Sequence, residues 1–434
     1  MAASPASRRT VIIVAAVVVA ALVAVGAVVF FTTRGSTSTT AGSETSAADI
    51  VDPPVALPPA RIVPLAASEK VPTTAGIEAQ LAAQLGNPAL AQFSGVIIDP
   101  TSRFTTKVVQ GDQEGDIVLV GGGDVTLSAR NEGVATVYDG APLMADLAAQ
   151  VRASGVDVKR IVLDTDYWSG PDLADGWQTG DIRGTAASAQ GFITRMSPLM
   201  VDGDREDPAN ENSIRTGDPA NAAGKALARL LGNPDLPLVD GTAPEDTAVI
   251  GQVSSQPMSV LLAQALENSD NVLAEALARQ VAIARGAPPS FAGASAAIIE
   301  ALEDLKIDTI GIEMFDGSGI STKDRVPPAV LAQVVALAVK GEPPALRNLL
   351  TGLPVAGVSG SLATRYQDPG SSAGAGWVRA KTGSLEVTYA LAGYVPDVDG
   401  RILVFAFVSN GVDSVTTRPA LDALAAGLRG CGCA

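Results

Sequence analysis

The strongest pattern along the chain is an unbroken run of 21 apolar or small residues from Val11 to Phe31. A helix of that length crosses the ~30 Å hydrocarbon layer of a bilayer. Arg8 and Arg9 stand just before the run, and positive charge beside a span holds that end in the cytoplasm. The pattern predicts an uncleaved, single-pass anchor in the cell membrane, N-terminus inside and body extracytoplasmic. A cleaved signal peptide is the competing reading, but its apolar core is shorter, ~7–15 residues, and no small-x-small site lies close behind the run. From Thr32 to about Pro64 the composition shifts to Ser, Thr, Gly, Ala and Pro. Gly35 to Thr45 reads as a flexible tether, and Pro53-Pro54 and Pro58-Pro59 make the second part of the linker stiffer and more extended.

Beyond the linker, Ile77, Leu81 and Leu85 at four-residue spacing predict a first helix from Thr73 to about Leu85. Ser94 to Ile98 is a short β-branched run that ends at Asp99-Pro100. Phe104 to Val109, Ile117 to Val120 and Arg160 to Leu163 carry strand patterns, with Gly121-Gly122-Gly123-Asp124 as a tight turn. Asp164 to Asp207 is full of Trp, Gly, Pro and Asp, which predicts loops packed by Trp168 and Trp177. Helical patterns cover Ala220 to Leu231, Met258 to Leu266, Val272 to Ala284, Ala294 to Leu305 and Pro328 to Val339. Tyr389 to Val395 and Ile402 to Val408 read as strands joined by Pro396-Asp397-Val398-Asp399-Gly400, and Arg418 to Leu428 as a closing helix. A strand-turn-strand-helix ending beside a helical block predicts an α+β domain.

Composition narrows the chemistry. At 434 residues the chain exceeds one ordinary core. A net charge of −16 leaves no excess of Lys and Arg to displace phosphate counterions, which argues against nucleic acid. There is no histidine. That excludes a Ser-His-Asp triad and a His-ligated zinc site, so any general base must be Lys, Asp, Glu or Tyr. No metal or cofactor is expected. Cys431 and Cys433 stand in a Gly-Cys-Gly-Cys-Ala tail, whose thiols are expected to pair with each other or with another molecule.

Two short motifs carry the candidate chemistry. Ser269-Asp270-Asn271 lies between two helical patterns, hence on an interhelical turn. Alone it reads as helix capping, since Ser and Asp at that position contribute ~1 kcal/mol. Lys381-Thr382-Gly383-Ser384 opens a strand, with a glycine that lets another backbone approach. In this order, ahead of a strand pair and a final helix, the two motifs carry more weight together.

Further segments join them: Arg103-Phe104-Thr105-Thr106 leading to the glycine turn, Asp164 to Trp177, and Ser255-Gln256-Pro257-Met258. Asp316-Gly317-Ser318-Gly319-Ile320-Ser321 and Leu353-Pro354-Val355-Ala356-Gly357 complete the set. On these residues, from Thr73 to Leu428, the chain resembles the D-alanyl-D-alanine carboxypeptidases of the class C penicillin-binding proteins, serine peptidases that trim peptidoglycan stem peptides outside the cytoplasm. The resemblance implies a penicillin-binding-protein/β-lactamase-like α+β domain with an inserted β-rich domain. The division becomes a cytoplasmic N-terminus (1–9), an anchor (10–32), a linker (33–72), a discontinuous transpeptidase-like domain (73–110 and 250–434) and the insert (111–249). It also implies roles for matching positions. Ser269 and Asn271 relay the proton and hold the substrate amide, and Lys381 sets the electrostatics. Asp270, Thr382, Gly383 and Ser384 line the substrate site, with Thr382 on the terminal carboxylate. A backbone N–H near Ser384 forms half of an oxyanion hole.

Such enzymes attack with a serine whose base is a lysine three residues later, one turn along the same helix face. None of the eight lysines here has a serine three places before it. In the family, a strand like Ser94 to Asp99 leads to a buried helix bearing that pair and only then to the Arg-Phe-Thr-Thr strand. Here Asp99 is followed almost at once by Thr101-Ser102-Arg103-Phe104, so a few dozen residues are missing. Neither Ser94 nor Ser102 is a geometric replacement; Ser102 and Lys107 are five apart in an extended stretch and alternate faces. Loss of a catalytic serine typically lowers the rate by ~10⁶. The resemblance therefore implies impaired or absent hydrolysis, stem-peptide recognition, and weak or no binding of β-lactams. The alternative is a non-catalytic cell-wall or peptidoglycan-binding scaffold.

Overall fold

The computed structural model describes residues 102–431 apart from 186–188, 386–387 and 412. The predicted anchor, the linker, the Thr73 to Leu85 helix and the Ser94 to Ile98 run all lie outside the described residues, as does Cys433. Cys431 is disulfide-bonded. Among the described residues, no single helix is long and apolar enough to cross a membrane.

The first sheet has five strands: β1 (Thr105–Gln110), β2 (Asp116–Val120), β3 (Arg160–Asp164), β4 (Leu238–Asp240) and β5 (Val249–Ser254), in the order β4-β3-β2-β1-β5. β1 runs antiparallel to both β2 and β5, whereas β2-β3 and β3-β4 are parallel. Parallel neighbours need a crossover, supplied here by helices α1 (Met144–Ala153) and α3 (Pro219–Leu230). A short helix α2 (Thr179–Arg183) lies in the long loop between β3 and α3. Leu147 and Val151 of α1 and Leu227 of α3 pack on Ile117, Leu119, Ile161 and Leu163. The region expected to form a β-rich insert holds a mixed sheet with two packed helices. β1 and β5 belong to that sheet, although the sequence division assigned 105–110 and 250–254 to the transpeptidase-like part. Gly122 beside β2 has a close-approach role: a Cβ there would stand 1.9 Å from the Thr105 carbonyl oxygen.

A helical block comes next: α4 (Met258–Glu267), α5 (Asn271–Arg285), α6 (Phe291–Asp304), α7 (Pro328–Lys340) and α8 (Arg347–Gly352). Its boundaries have local causes. Asp270 caps α5 by accepting from the Leu273 N–H, and Gly286 ends that helix in the left-handed conformation. Ser290 caps α6 through the Gly293 N–H. Prolines open α7 and Gly341 closes it.

The second sheet is antiparallel, β6 (Arg379–Ser384), β7 (Thr388–Pro396) and β8 (Ile402–Asn410), and α9 (Ser414–Arg429) closes the fold. The turn predicted between the last two strands is present: Asp397 accepts from the Asp399 and Arg401 N–H groups, and Gly400 has φ 82°. Leu421, Ala425 and Ala426 of α9 cover the face bearing Tyr389, Leu391 and Phe405. The helical block covers the other, with Ala392, Tyr394, Val404 and Ala406. Helices on both faces bury the sheet, and the predicted α+β class holds for this part.

Candidate functional site

Asp270 ends the turn after α4, and the residue before it takes an uncommon conformation. Ser269 has φ 54°, a region costing a non-glycine residue ~1–3 kcal/mol unless its surroundings hold it there. The hold comes from Asp270. One carboxylate oxygen caps α5 and the other receives Arg205 Nη2 at 2.8 Å, with both side chains buried. Arg205 is itself fixed by the Tyr138 hydroxyl at 3.0 Å and by the Asp202 carbonyl. Burial, the largest single influence, pushes the Asp270 carboxyl up, but the Arg205 guanidinium, the Leu273 N–H and Arg215 together outweigh it and keep the group below the ordinary carboxylate range. Asp270 was expected among the substrate contacts. Both of its oxygens are instead committed to protein donors, so it acts as a clamp on the turn.

α5 is secured further along. Glu275, one turn past Asn271, accepts from the Gly317 and Ser318 N–H groups at 2.7 and 2.8 Å and pairs with Arg279 at 3.0 Å. Burial, then the nearby Asp316, pushes the Glu275 carboxyl up to about 7. Asp316 accepts from Gly319, Ser321 and Trp177 Nε1. The Asp316 to Ser321 signature therefore has a structural task, gripping the helix that carries Asn271. Trp168 and Trp177 pack as the sequence predicts, against Arg279 and Phe291.

With α5 fixed, its N-terminal turn meets β6. Lys381 Nζ donates to Ser269 Oγ at 2.6 Å across 112 residues of chain, and to the Thr382 carbonyl at 2.8 Å. Lys381 is 2% exposed, whereas Ser269 is half-buried. Burial alone lowers the Lys381 pKa to about 7. The contact joins a hydroxyl and an amine that come from the two motifs themselves. No spacing rule in the sequence brings residues 269 and 381 together, because the contact depends on helix-to-sheet packing.

The other expected residues separate by strand periodicity. Lys381 stands opposite Ala392, and Thr382 and Ser384 stand opposite Leu391 and Tyr389. Side chains alternate faces, so Thr382 and Ser384 point to the α9 side. There Thr382 Oγ1 shares a hydrogen bond with Ser361 Oγ at 2.8 Å, and Ser384 Oγ accepts from Arg418 at 2.6 Å. Their side chains thus serve a different face from the amine, against the expectation that they line one substrate surface. Their backbone is placed differently. Ala380 N–H donates outward to Pro354, so the N–H groups of Thr382 and Ser384, at the same parity, face the outer edge of β6. Gly383 pairs with Ala390 and is buried. Asn271 Nδ2 donates to the Phe192 carbonyl at 3.1 Å, and its Oδ1 is buried with no hydrogen-bond partner among the described residues. Sequence reasoning missed Arg205, Ser361 and Phe192. Only Ser361 left a trace, in the Ser359-Gly360-Ser361 stretch just after the Leu353 to Gly357 segment.

Comparison with known proteins decides the lineage. The D-Ala-D-Ala carboxypeptidase 3 (S13) family matches residues 89–221 and 205–429. The chain belongs to that family. It is 41% identical to Carboxypeptidase DacB of Mycolicibacterium smegmatis over 431 residues, covering 90% of this chain and 92% of that protein. It is 37% identical to Carboxypeptidase Rv3627c of Mycobacterium tuberculosis over 412 residues, covering 86% and 88%. In each case the aligned span is longer than the matched share of this chain, leaving some forty positions of the relative without a counterpart here. The fold is that of penicillin binding protein 4 from Haemophilus influenzae, with a TM-score of 0.58 at 20% identity, covering 76% of this chain and 85% of that one.

Proposed function

We propose that this protein is a membrane-anchored, extracytoplasmic member of its family that recognises peptidoglycan stem peptides ending in D-Ala-D-Ala, with hydrolysis by the family's Ser-x-x-Lys pair lost. The observation that carries the reading is the Ser269–Lys381 contact at 2.6 Å beside the outward N–H groups of β6. An extended peptide adds to such an edge through main-chain hydrogen bonds. The carboxypeptidase names of both relatives support the substrate class. Anchoring rests on the Val11 to Phe31 run and the arginines before it.

The test uses the full-length protein in detergent and a peptide ending in D-Ala-D-Ala. Saturable binding is expected, weakened at least tenfold by Lys381→Ala, with D-Ala release slower by several orders of magnitude than in the Mycolicibacterium relative. Absence of binding, or release at the relative's rate, overturns the proposal.

A further inference from the structure

The turn before α5 is held at two points, both from the chain between β3 and α3. Arg205 Nη2 donates to the Asp270 carboxylate at 2.8 Å, and the Phe192 carbonyl accepts from Asn271 Nδ2 at 3.1 Å. Asp204 joins the two holds. One of its carboxylate oxygens accepts from Thr194 Oγ1, two residues beyond Phe192, and from the Gly217 N–H at 2.9 Å; the other accepts from Thr216 Oγ1. Its own carbonyl takes the Thr216 N–H at 3.1 Å. Asp204 and Thr194 are both buried. The backbone there is unusual: Asp202, Gly203 and Asp204 have φ of 52°, 60° and 61°, three left-handed residues in succession. Only the middle one is a glycine, and other residues persist in that region where their surroundings fix them, most often at functional sites. Here the Asp202 carboxylate accepts from Ser128 Oγ and the Ala129 N–H, and the Gly203 N–H donates to the Val125 carbonyl. A Cβ at Gly203 would meet the Tyr138 hydroxyl and the Arg205 guanidinium at 2.5 Å. The turn thus sends Arg205 to Asp270 and the Asp204 carboxylate to Thr194.

We propose that Asp204 is a positioning residue for the candidate site, yoking the Arg205 and Phe192 holds so that the chain between β3 and α3 sets where Ser269 and Asn271 stand. It acts through two neighbours: Arg205, the next residue in the chain, and Thr194, beside the Phe192 carbonyl in sequence. Ser269 and Asn271 flank Asp270, so a shift in either hold moves the turn that carries both. The role in peptide binding rests on the stem-peptide reading, because the turn lines the same cleft. A carboxylate suits the task. Two hydroxyls and an N–H converge on it, and an ionised carboxylate accepts from all three without presenting a donor of its own. Hydrogen bonds to an ionised acceptor are also shorter and stronger than neutral ones. An amide in its place would turn an N–H towards one of those donors.

The experiment is amide hydrogen exchange followed by mass spectrometry on the full-length protein in detergent. It is read on the segment carrying the Leu273 and Ala274 N–H groups, both of which donate to Asp270. In Asp204→Ala that segment should exchange about tenfold faster or more, while α9 stays within about twofold of wild type. Asp204→Asn, which keeps the shape and one acceptor oxygen, should fall between the two. Leu119→Ala in the first sheet is the control for lost stability, and it should not single out the segment. Affinity for the D-Ala-D-Ala peptide should weaken about tenfold in Asp204→Ala and less in Asp204→Asn. If Asp204→Ala does not fold, Thr194→Val carries the test, because it deletes only the link towards Phe192; selective acceleration of the same segment is again expected. Unchanged exchange at Leu273 and Ala274, or acceleration spread evenly over the protein, overturns the proposal. Peptide binding by the wild type with unchanged exchange in the variants sinks this proposal alone. Selective acceleration in the variants, with no peptide binding by the wild type, sinks the stem-peptide reading and leaves Asp204 as the yoke of the turn.

Discussion

The buried positions of β2 and β3 include Ile117, Val118, Leu119, Ile161 and Leu163, while those of β6 are Ala380, Lys381, Thr382, Gly383 and Ser384. Both are strands covered by helices, yet one interior is apolar and the other holds an amine and two hydroxyls. The apolar sheet needs only volume and period to fold, because its stability comes from area removed from water. Its charged ends, such as Asp116 with Arg160, are met at the sheet margin. The polar sheet needs a partner for every buried group, since an unsatisfied one costs ~1–3 kcal/mol. Thr382 has Ser361, Ser384 has Arg418, and Lys381 has a carbonyl and a serine. A protein keeps such an arrangement where it uses the groups, and that difference locates the site.

Four measurements break or sharpen the contrast. The largest effect is expected where the polar half is clamped. Arg205→Met leaves Asp270 charged and buried without its cation, and unfolding free energy should fall by ~3–5 kcal/mol in urea titrations. A loss below ~1 kcal/mol would falsify the clamp. In the apolar sheet, Leu119→Ala should cost ~3 kcal/mol through lost burial and a residual cavity, while leaving peptide binding at the cleft within twofold. If binding falls with stability, the two halves are not separable.

The third measurement concerns charge. Lys381 has a folded pKa of about 7 against 10.5 when exposed. Between those values the unfolded chain binds more protons, so this residue makes stability rise with pH. Buried Glu275 and Asp324, pushed up to about 7 and about 9, act in the opposite sense, their stabilisation fading as pH climbs through those values. The difference between wild type and Lys381→Met isolates the lysine: from about pH 7 to 9 the wild type should gain about 2 kcal/mol on the variant. A constant difference means the amine is not desolvated. The smallest effect lies away from both sheets' interiors. Asp413 caps α9 through the Val415 and Thr416 N–H groups, so Asp413→Ala should lower stability by ~1 kcal/mol with binding of the D-Ala-D-Ala peptide unchanged.

Much of the scaffold was legible in the chain. The strands at 105, 116, 160, 388 and 402 and the helices at 219, 271, 291 and 328 start within three residues of where their apolar periods placed them. Helix α1 was missed although Met144, Leu147, Ala148 and Val151 form a helical stripe, all buried; the glycine turn nearby pointed towards strands. β6 was legible only as a motif, since a strand that buries Lys, Thr and Ser has no apolar alternation to detect.

Amino-acid order alone determined where most of the helices and strands form, the lineage to which their motifs belong, the absence of histidine, and the absence of any serine three places before a lysine. Those properties depend on neighbours within a turn or two of chain. Tertiary structure decided which polar groups meet. It turned Asp270 away to Arg205, sent Thr382 and Ser384 to the face opposite Lys381, and set Ser269 against a buried amine. Such contacts arise from how a helix end docks on a sheet edge, where a rotation of one residue changes the partner, and local sequence carries no record of that docking.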